Sequence, residues 1–157
     1  MNAEQKQALY LEAEKELISI TEGEKNVTAL MATVSCILAQ KFDYYFWTGF
    51  YIVDPEKENE LVVGPYQGTL GCLRIPFGRG VCGMAAATLE TQLVEDVHAF
   101  PGHIACDSRS NSEIVVPVLN TQGQLIAVLD VDSVDIGSFD ETDRVALETL
   151  MQRIFAQ

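Results

Sequence analysis

The sequence predicts an α+β domain, in which a mainly antiparallel sheet carries helices packed on one face. Three observations predict it. Helical periodicity is confined to the two ends of the chain and one short stretch between. The middle alternates β-branched and aromatic runs with brief polar turns, the spacing of hairpins rather than crossovers. The 157 residues, 48% apolar and 21% charged, suffice for a core without metal or disulfide staples.

Each element follows in order. Residues 4–22 are strong helix formers with Ala13, Leu17 and Ile20 on one side. A second helix covers 26–41, where Val27, Leu30, Met31, Val34 and Leu38 recur at three and four residues and Asn26 is the N-cap. FWTGFYIV (46–53) reads as a strand, Asp54 to Asn59 as a hairpin turn, Glu60 to Tyr66 as a second strand and Leu70 to Pro76 as a third. FGRG turns the chain into a short helix over 81–90, followed by a strand-like TQLVED (91–96). The irregular stretch from Val97 to Ser112 is long for a connection inside a domain, and loops of this length are often functional. Strands at Glu113–Leu119 and Gln124–Asp132 flank the turn NTQG. A last helix runs from Asp140 to Phe155, with Asp140 as N-cap, Asp143 at N3 and an apolar stripe of Leu147, Leu150, Met151 and Ile154. The whole reads as a single domain over 1–157: N-terminal helices in 1–42, sheet and pocket loops in 44–135, and the C-terminal helix in 139–156.

Charge narrows the function classes. Ten basic against 23 acidic residues give a net charge of −13, which repels phosphate backbones and anionic membrane surfaces, so no nucleic-acid or membrane role is expected. The polar N-terminus has no apolar leader-like run, and the longest apolar runs fall far short of a membrane span. The expectation is a cytoplasmic protein, a compartment where disulfides are transient or catalytic.

Two constellations can carry chemistry. In the strand ending at Asp132, the two-residue alternation puts Ile126, Val128, Asp130 and Asp132 on one face. Glu113 opens the preceding strand, so an antiparallel pair gathers three acids at one end of a hairpin. Such acids repel one another and resist desolvation unless a cation joins them. They form a pocket for a ligand ammonium, with one carboxyl able to hold a proton, or a group neutralised by Arg74, Arg79 or Arg109, or they point to solvent at a strand end. The cysteines are the second constellation. Cys36, inside an apolar helix, reads as core. Cys106 lies in the polar loop between His103 and Arg109 and is either a low-pKa nucleophile or an inert loop thiol. A zinc site drawn from His98, His103, Cys106 and Cys82 lacks short regular ligand spacing, so no metal is expected. Trp47, within the aromatic run 42–51, is either core or a pocket wall facing a cation.

GTLGCLRIPFGRGVCG (68–83), VEDVHAFPGHIACDSRSNSEIVVPV (94–118), LDVDS (129–133) and FDETDR (139–144) together resemble the free methionine-(R)-sulfoxide reductases, a family of GAF-domain enzymes. The resemblance runs from about Trp47 to the C-terminal helix. It implies a central six-stranded antiparallel sheet flanked by helices, and thiol-dependent reduction of free L-methionine-(R)-S-oxide without a bound cofactor. It implies Cys106 as catalytic cysteine, Cys72 as main resolving cysteine, Cys82 as an auxiliary third, and Glu113, Asp130, Asp132 and Trp47 as substrate-binding residues, with Glu113 also a proton donor. A Cys106 sulfenic acid, a disulfide with Cys72, thioredoxin as external reductant and a homodimer complete the implied picture. A non-catalytic GAF module that senses a small molecule is the alternative, and a hydrolase with a metal on the histidines and cysteines is a third reading.

Overall fold

Residues 1–104 and 106–157 are described in the computed structural model; Ala105, inside the HIACDS stretch, lies outside them. Helices α1 (Ala3–Ile20) and α2 (Val27–Lys41) lead into strands β1 (Trp47–Val53), β2 (Glu60–Gln67) and β3 (Arg74–Pro76). Helix α3 (Gly80–Thr88), β4 (Gln92–Val94), a 3-10 turn at Val97–Ala99, β5 (Ser112–Leu119), β6 (Leu125–Ser133) and helix α4 (Glu141–Phe155) complete the chain. The strands form a six-stranded sheet in the order β3-β2-β1-β6-β5-β4 with every neighbouring pair antiparallel. Among the described residues, no helix is long and apolar enough to cross a membrane.

Local chemistry sets the helix ends. The Asn2 side chain accepts from Gln5 N while Gln5 reaches back to Asn2 N, both at 2.9 Å. Asn26 caps α2 through Ala29 N, as its sequence position predicts. Asp140 and Asp143 form the predicted reciprocal box at the start of α4.

The sheet separates two apolar layers. α1, α2 and α4 cover one face through Leu17, Val34, Leu38, Leu147 and Leu150, against Phe50, Ile114, Val116 and Leu129. The other face carries Trp47, Tyr51, Val115 and Val128 under α3 and the loops around it. The expectation of helices on one face only is therefore corrected: α3 lies opposite the other three. Its segment is apolar all round, so no stripe in the sequence names the side it covers.

Three smaller expectations change. The third strand is Arg74–Pro76, not Leu70–Pro76, because residues 70–73 leave the sheet to pass over Trp47. Ile126 packs with the helix-covered layer rather than on the face of Asp130 and Asp132, since the β5–β6 register shifts between Val118 and Leu119 and breaks the alternation there. Cys36 is half-buried on the flank of α2, not core. Ser35 takes the inward position instead, its hydroxyl bonded to Met31 O at 2.8 Å.

Candidate active site

The sheet register builds the site. Glu113 of β5 stands opposite Asp132 of β6, and Asp132 stands opposite Trp47 of β1. Two pairs along, Asp130 lies between Val115 and Gly49. The three acids therefore share one patch of the α3-side face, as the two-residue alternation predicts. Gly49 matters because a Cβ there would lie 2.1 Å from the Tyr66 Cβ. Its absence lets β2 close in, so that Tyr66 stacks on Trp47 at 4.8 Å and Trp47 stacks on Tyr51 at 5.6 Å. The Trp47 indole N–H donates to Thr69 O at 2.8 Å. Gly71 passes directly over the indole, where a Cβ would meet Trp47 Cζ2 at 2.9 Å.

The acids are deep and lack a matching cation. Glu113 is 6% exposed and Asp130 4%, while Asp132 is half-buried. Among the described residues, no lysine or arginine pairs with any of them. Arg74 instead pairs with Asp54 and Glu60, and Arg109 with Asp107. Arg79 lines the pocket without a salt bridge to the acids. Neutralisation by these arginines is thus overturned: Arg74 and Arg109 are paired elsewhere, and Arg79 is exposed without a salt bridge to the acids. His103 comes nearest, its Nε2 3.7 Å from Glu113 Oε1, and burial lowers its pKa. Asp130 Oδ1 is buried with no hydrogen-bond partner, a vacancy in polar pairing that structures rarely leave without purpose.

The electrostatics follow from burial. Desolvation pushes the Glu113, Asp130 and Asp132 carboxyls well above the usual carboxylate range, and repulsion among the three pushes further. The cluster titrates as a unit and retains protons where an exposed acid has lost them. Cys82, on α3, is free and buried. Its Sγ lies 4.0 Å from Glu113 Oε2, and burial followed by the charge of Asp130 raises its thiol pKa. A thiol in that condition is a poor nucleophile at neutral pH. Donor atoms of Cys82, Glu113 and Asp130 lie within 4.8 Å of one another and suit a cation. The zinc set drawn from His98, His103, Cys106 and Cys82 is not assembled: His98 turns to Asn111 Oδ1 at 2.9 Å.

Cys72 and Cys106 are joined by a disulfide across 34 residues, with Cα atoms 5.3 Å apart. Cys106 is exposed and Cys72 half-buried. The bond closes the loops over a cavity of about 30 Å³ lined by Trp47, Tyr51, Cys82, His103, Cys106 and all three acids. That is room for water, far below the roughly 300–1,000 Å³ of pockets for drug-sized ligands. Trp47, Cys72, Cys82, Cys106, Glu113, Asp130 and Asp132 thus come to one place, and His98 does not. The sequence reading missed Tyr66, Thr69 and Asp107. Asp107 had a signal, since an aspartate two residues before an arginine in a polar loop favours a local turn; the other two had none.

The GAF domain family matches residues 24–154. The free methionine-R-sulfoxide reductase of Escherichia coli is 41% identical over 95% of this chain and 88% of its own length. The X-ray structure of free methionine-R-sulfoxide reductase from Neisseria meningitidis in complex with its substrate is 47% identical. It covers 95% of this chain and 87% of that one at a TM-score of 0.90. The reduced form of the Staphylococcus aureus enzyme is 41% identical over 92% of each chain at 0.87. With a disulfide at the mouth of an acid-lined GAF pocket, and relatives this similar along nearly the whole chain, the chain belongs to the free methionine-R-sulfoxide reductases, a family built on the GAF domain.

Proposed function

We propose that this chain reduces free L-methionine-(R)-S-oxide to L-methionine, with Cys106 as nucleophile, Cys72 as resolving cysteine and a dithiol protein of the thioredoxin class as reductant. The observation that carries the reading is the disulfide between Cys72 and Cys106 at the mouth of a pocket holding three uncompensated acids. Two of the acids bind the substrate's α-ammonium, a charge that a methionine residue inside a peptide lacks; such a residue leaves them unpaired and is rejected. Glu113, close to the disulfide loops through His103, holds a proton and gives it to the sulfoxide oxygen. Trp47, with Tyr51 and Tyr66 behind it, walls the thioether side.

The Cys106 thiolate attacks the sulfoxide sulfur; with one proton taken up, methionine leaves and Cys106 carries the oxygen as sulfenic acid. Cys72 displaces that oxygen as water, forming the disulfide. An external dithiol reduces it by exchange through a mixed disulfide. Exposure of Cys106 supports attack from outside. Leu70 and Leu73, 78% and 70% exposed beside Cys72, offer the apolar contact a protein reductant needs. The small cavity implies that the loops part once the disulfide is reduced, before substrate enters. Cys82 supports the Glu113 carboxyl rather than exchanging disulfides, given its burial. Exposed Leu11, Ile18 and Val145 on α1 and α4 support a homodimer through that face, which sedimentation at two concentrations tests.

The deciding assay supplies free methionine-R-sulfoxide with thioredoxin, thioredoxin reductase and NADPH. Steady NADPH consumption, lost in Cys106→Ser, is expected. Binding of the amino acid with no turnover, indifferent to that substitution, identifies a GAF sensor module instead.

A further inference from the structure

Between the two loops that carry the disulfide runs a second connection, made without sulfur. Thr69 lies three residues before Cys72, and Asp107 follows Cys106 directly. The Thr69 hydroxyl donates to Asp107 Oδ2 at 2.8 Å. Asp107 is itself fixed on its own loop: Oδ1 accepts from Arg109 N at 2.9 Å and Nε at 3.0 Å, and Oδ2 from Arg109 Nη2 at 2.8 Å. The Arg109 guanidinium rests over the Phe46 ring at 5.0 Å. Thr69 is held from the other side, its carbonyl accepting from the Trp47 indole at 2.8 Å. The connection therefore ties the Cys106 loop to the Cys72 loop and anchors both to the start of β1.

We propose that Thr69 and Asp107 form a latch that presents Cys72 to the Cys106 sulfenic acid, making them positioning residues for the disulfide-forming step. This rests on the reductase reading above. In that step the Cys72 thiolate attacks the sulfenic sulfur of Cys106. The S–S bond forms, the S–O bond breaks, and the departing hydroxide takes a proton to become water. The two cysteines have then supplied the two electrons that reduced the substrate. The step requires the Cα atoms within about 7 Å, but with the sulfurs unjoined no covalent bond keeps them there. The latch re-forms as the loops close again after substrate has entered, raising the effective concentration of one sulfur at the other. The bonds from Arg109 and Thr69 hold the Asp107 carboxyl well below the usual carboxylate range, so it stays a charged acceptor at any pH where the cysteines react. Among the described residues the Thr69 hydroxyl bonds to Asp107 and to none of Cys106, Glu113, Asp130 and Asp132, and Thr69→Val keeps the carbonyl that holds Trp47, which separates this role from substrate chemistry.

The test mixes reduced wild type, Thr69→Val and Thr69→Ser with one equivalent of free methionine-R-sulfoxide and no reductant. Quenched samples are scored for methionine, for the Cys72–Cys106 disulfide and for Cys106 sulfenic acid trapped with dimedone. In Thr69→Val, methionine appears within about twofold of the wild-type rate. The disulfide closes roughly tenfold more slowly, the scale of one charge-assisted hydrogen bond, trapped sulfenic acid accumulates, and Thr69→Ser restores closure. A parallel arm makes the sulfenic acid with one equivalent of hydrogen peroxide, which gives one oxygen to the Cys106 thiolate and releases the other as hydroxide. It reads the latch without substrate, so slow closure there, with no methionine in the first arm, rejects the reductase reading and keeps the latch. Asp107→Asn serves if Thr69→Val fails to fold. Wild-type closure in the variants, or equal slowing of methionine formation and closure, overturns the proposal.

Discussion

Asp130 is buried, unpaired at Oδ1 and pressed by Glu113, so it sets function against stability. Its folded pKa lies above its unfolded value. The stability it contributes is fully present below the ordinary carboxylate pKa and is lost as pH rises through the folded value. The same sign holds for Glu113 and Asp132. Unfolding free energy from urea titrations should therefore fall as pH rises from 5 to 8, where the exposed acids are ionised in both states. Asp130→Asn should flatten that slope and stabilise the protein at pH 8 by about 1 kcal/mol or more. The same change should raise KM for the free sulfoxide at least tenfold, through loss of a charged contact to the ammonium. A variant both sturdier and less active is the signature of a residue kept for binding. An unchanged KM removes Asp130 from the ammonium site.

The elements differ in how plainly the sequence shows them. The pairing of Glu113 with Asp132 is legible because alternation and hairpin order are local; the pairing of Asp132 with Trp47 joins the first strand to the last and is not. The end helices are legible because Asn26, Asp140 and Asp143 are capping residues next to periodic stripes. The side taken by α3 is not, because VCGMAAATLE has no polar face. Nor is the path of residues 70–73, which depends on contacts with Trp47 from an earlier strand. The Thr69–Asp107 bond spans 38 residues, and nothing in either segment announces the other. Gly49 is a similar case: its need is set wholly by Tyr66 across the strand pair. Gly49→Ala should cost about 1–3 kcal/mol, the usual range for overpacking, and should raise KM through displacement of Tyr66 and Trp47. Urea midpoints with kinetics check both; an alanine tolerated without loss contradicts the close approach.

At the scale of the whole molecule, a buried polar cluster fastens the chain's first helix to its last. Lys6 Nζ meets Asp143 Oδ2 at 2.6 Å, and Tyr10 and Tyr44 donate to Oδ1 at 2.6 Å each. Asp143→Ala leaves an ammonium and two hydroxyls without their acceptor and should cost about 3–5 kcal/mol, measured by urea unfolding, with the disulfide-loop chemistry of the surviving folded fraction unchanged. Reduction from outside is also a property of the whole surface. Leu73→Ser should raise KM for thioredoxin severalfold while turnover driven by dithiothreitol stays at the wild-type value; equal effects on both reductants place Leu73 in substrate handling instead. Two cysteines, assisted by three acids, reduce one free methionine sulfoxide per cycle and are themselves oxidised to one disulfide. The most direct test gives the fully reduced protein a stoichiometric amount of free L-methionine-(R)-S-oxide without reductant, then counts products and maps the thiols. The account predicts one methionine per chain, with Cys72 and Cys106 joined and Cys36 and Cys82 still free. No methionine, or a disulfide that includes Cys82, would contradict it.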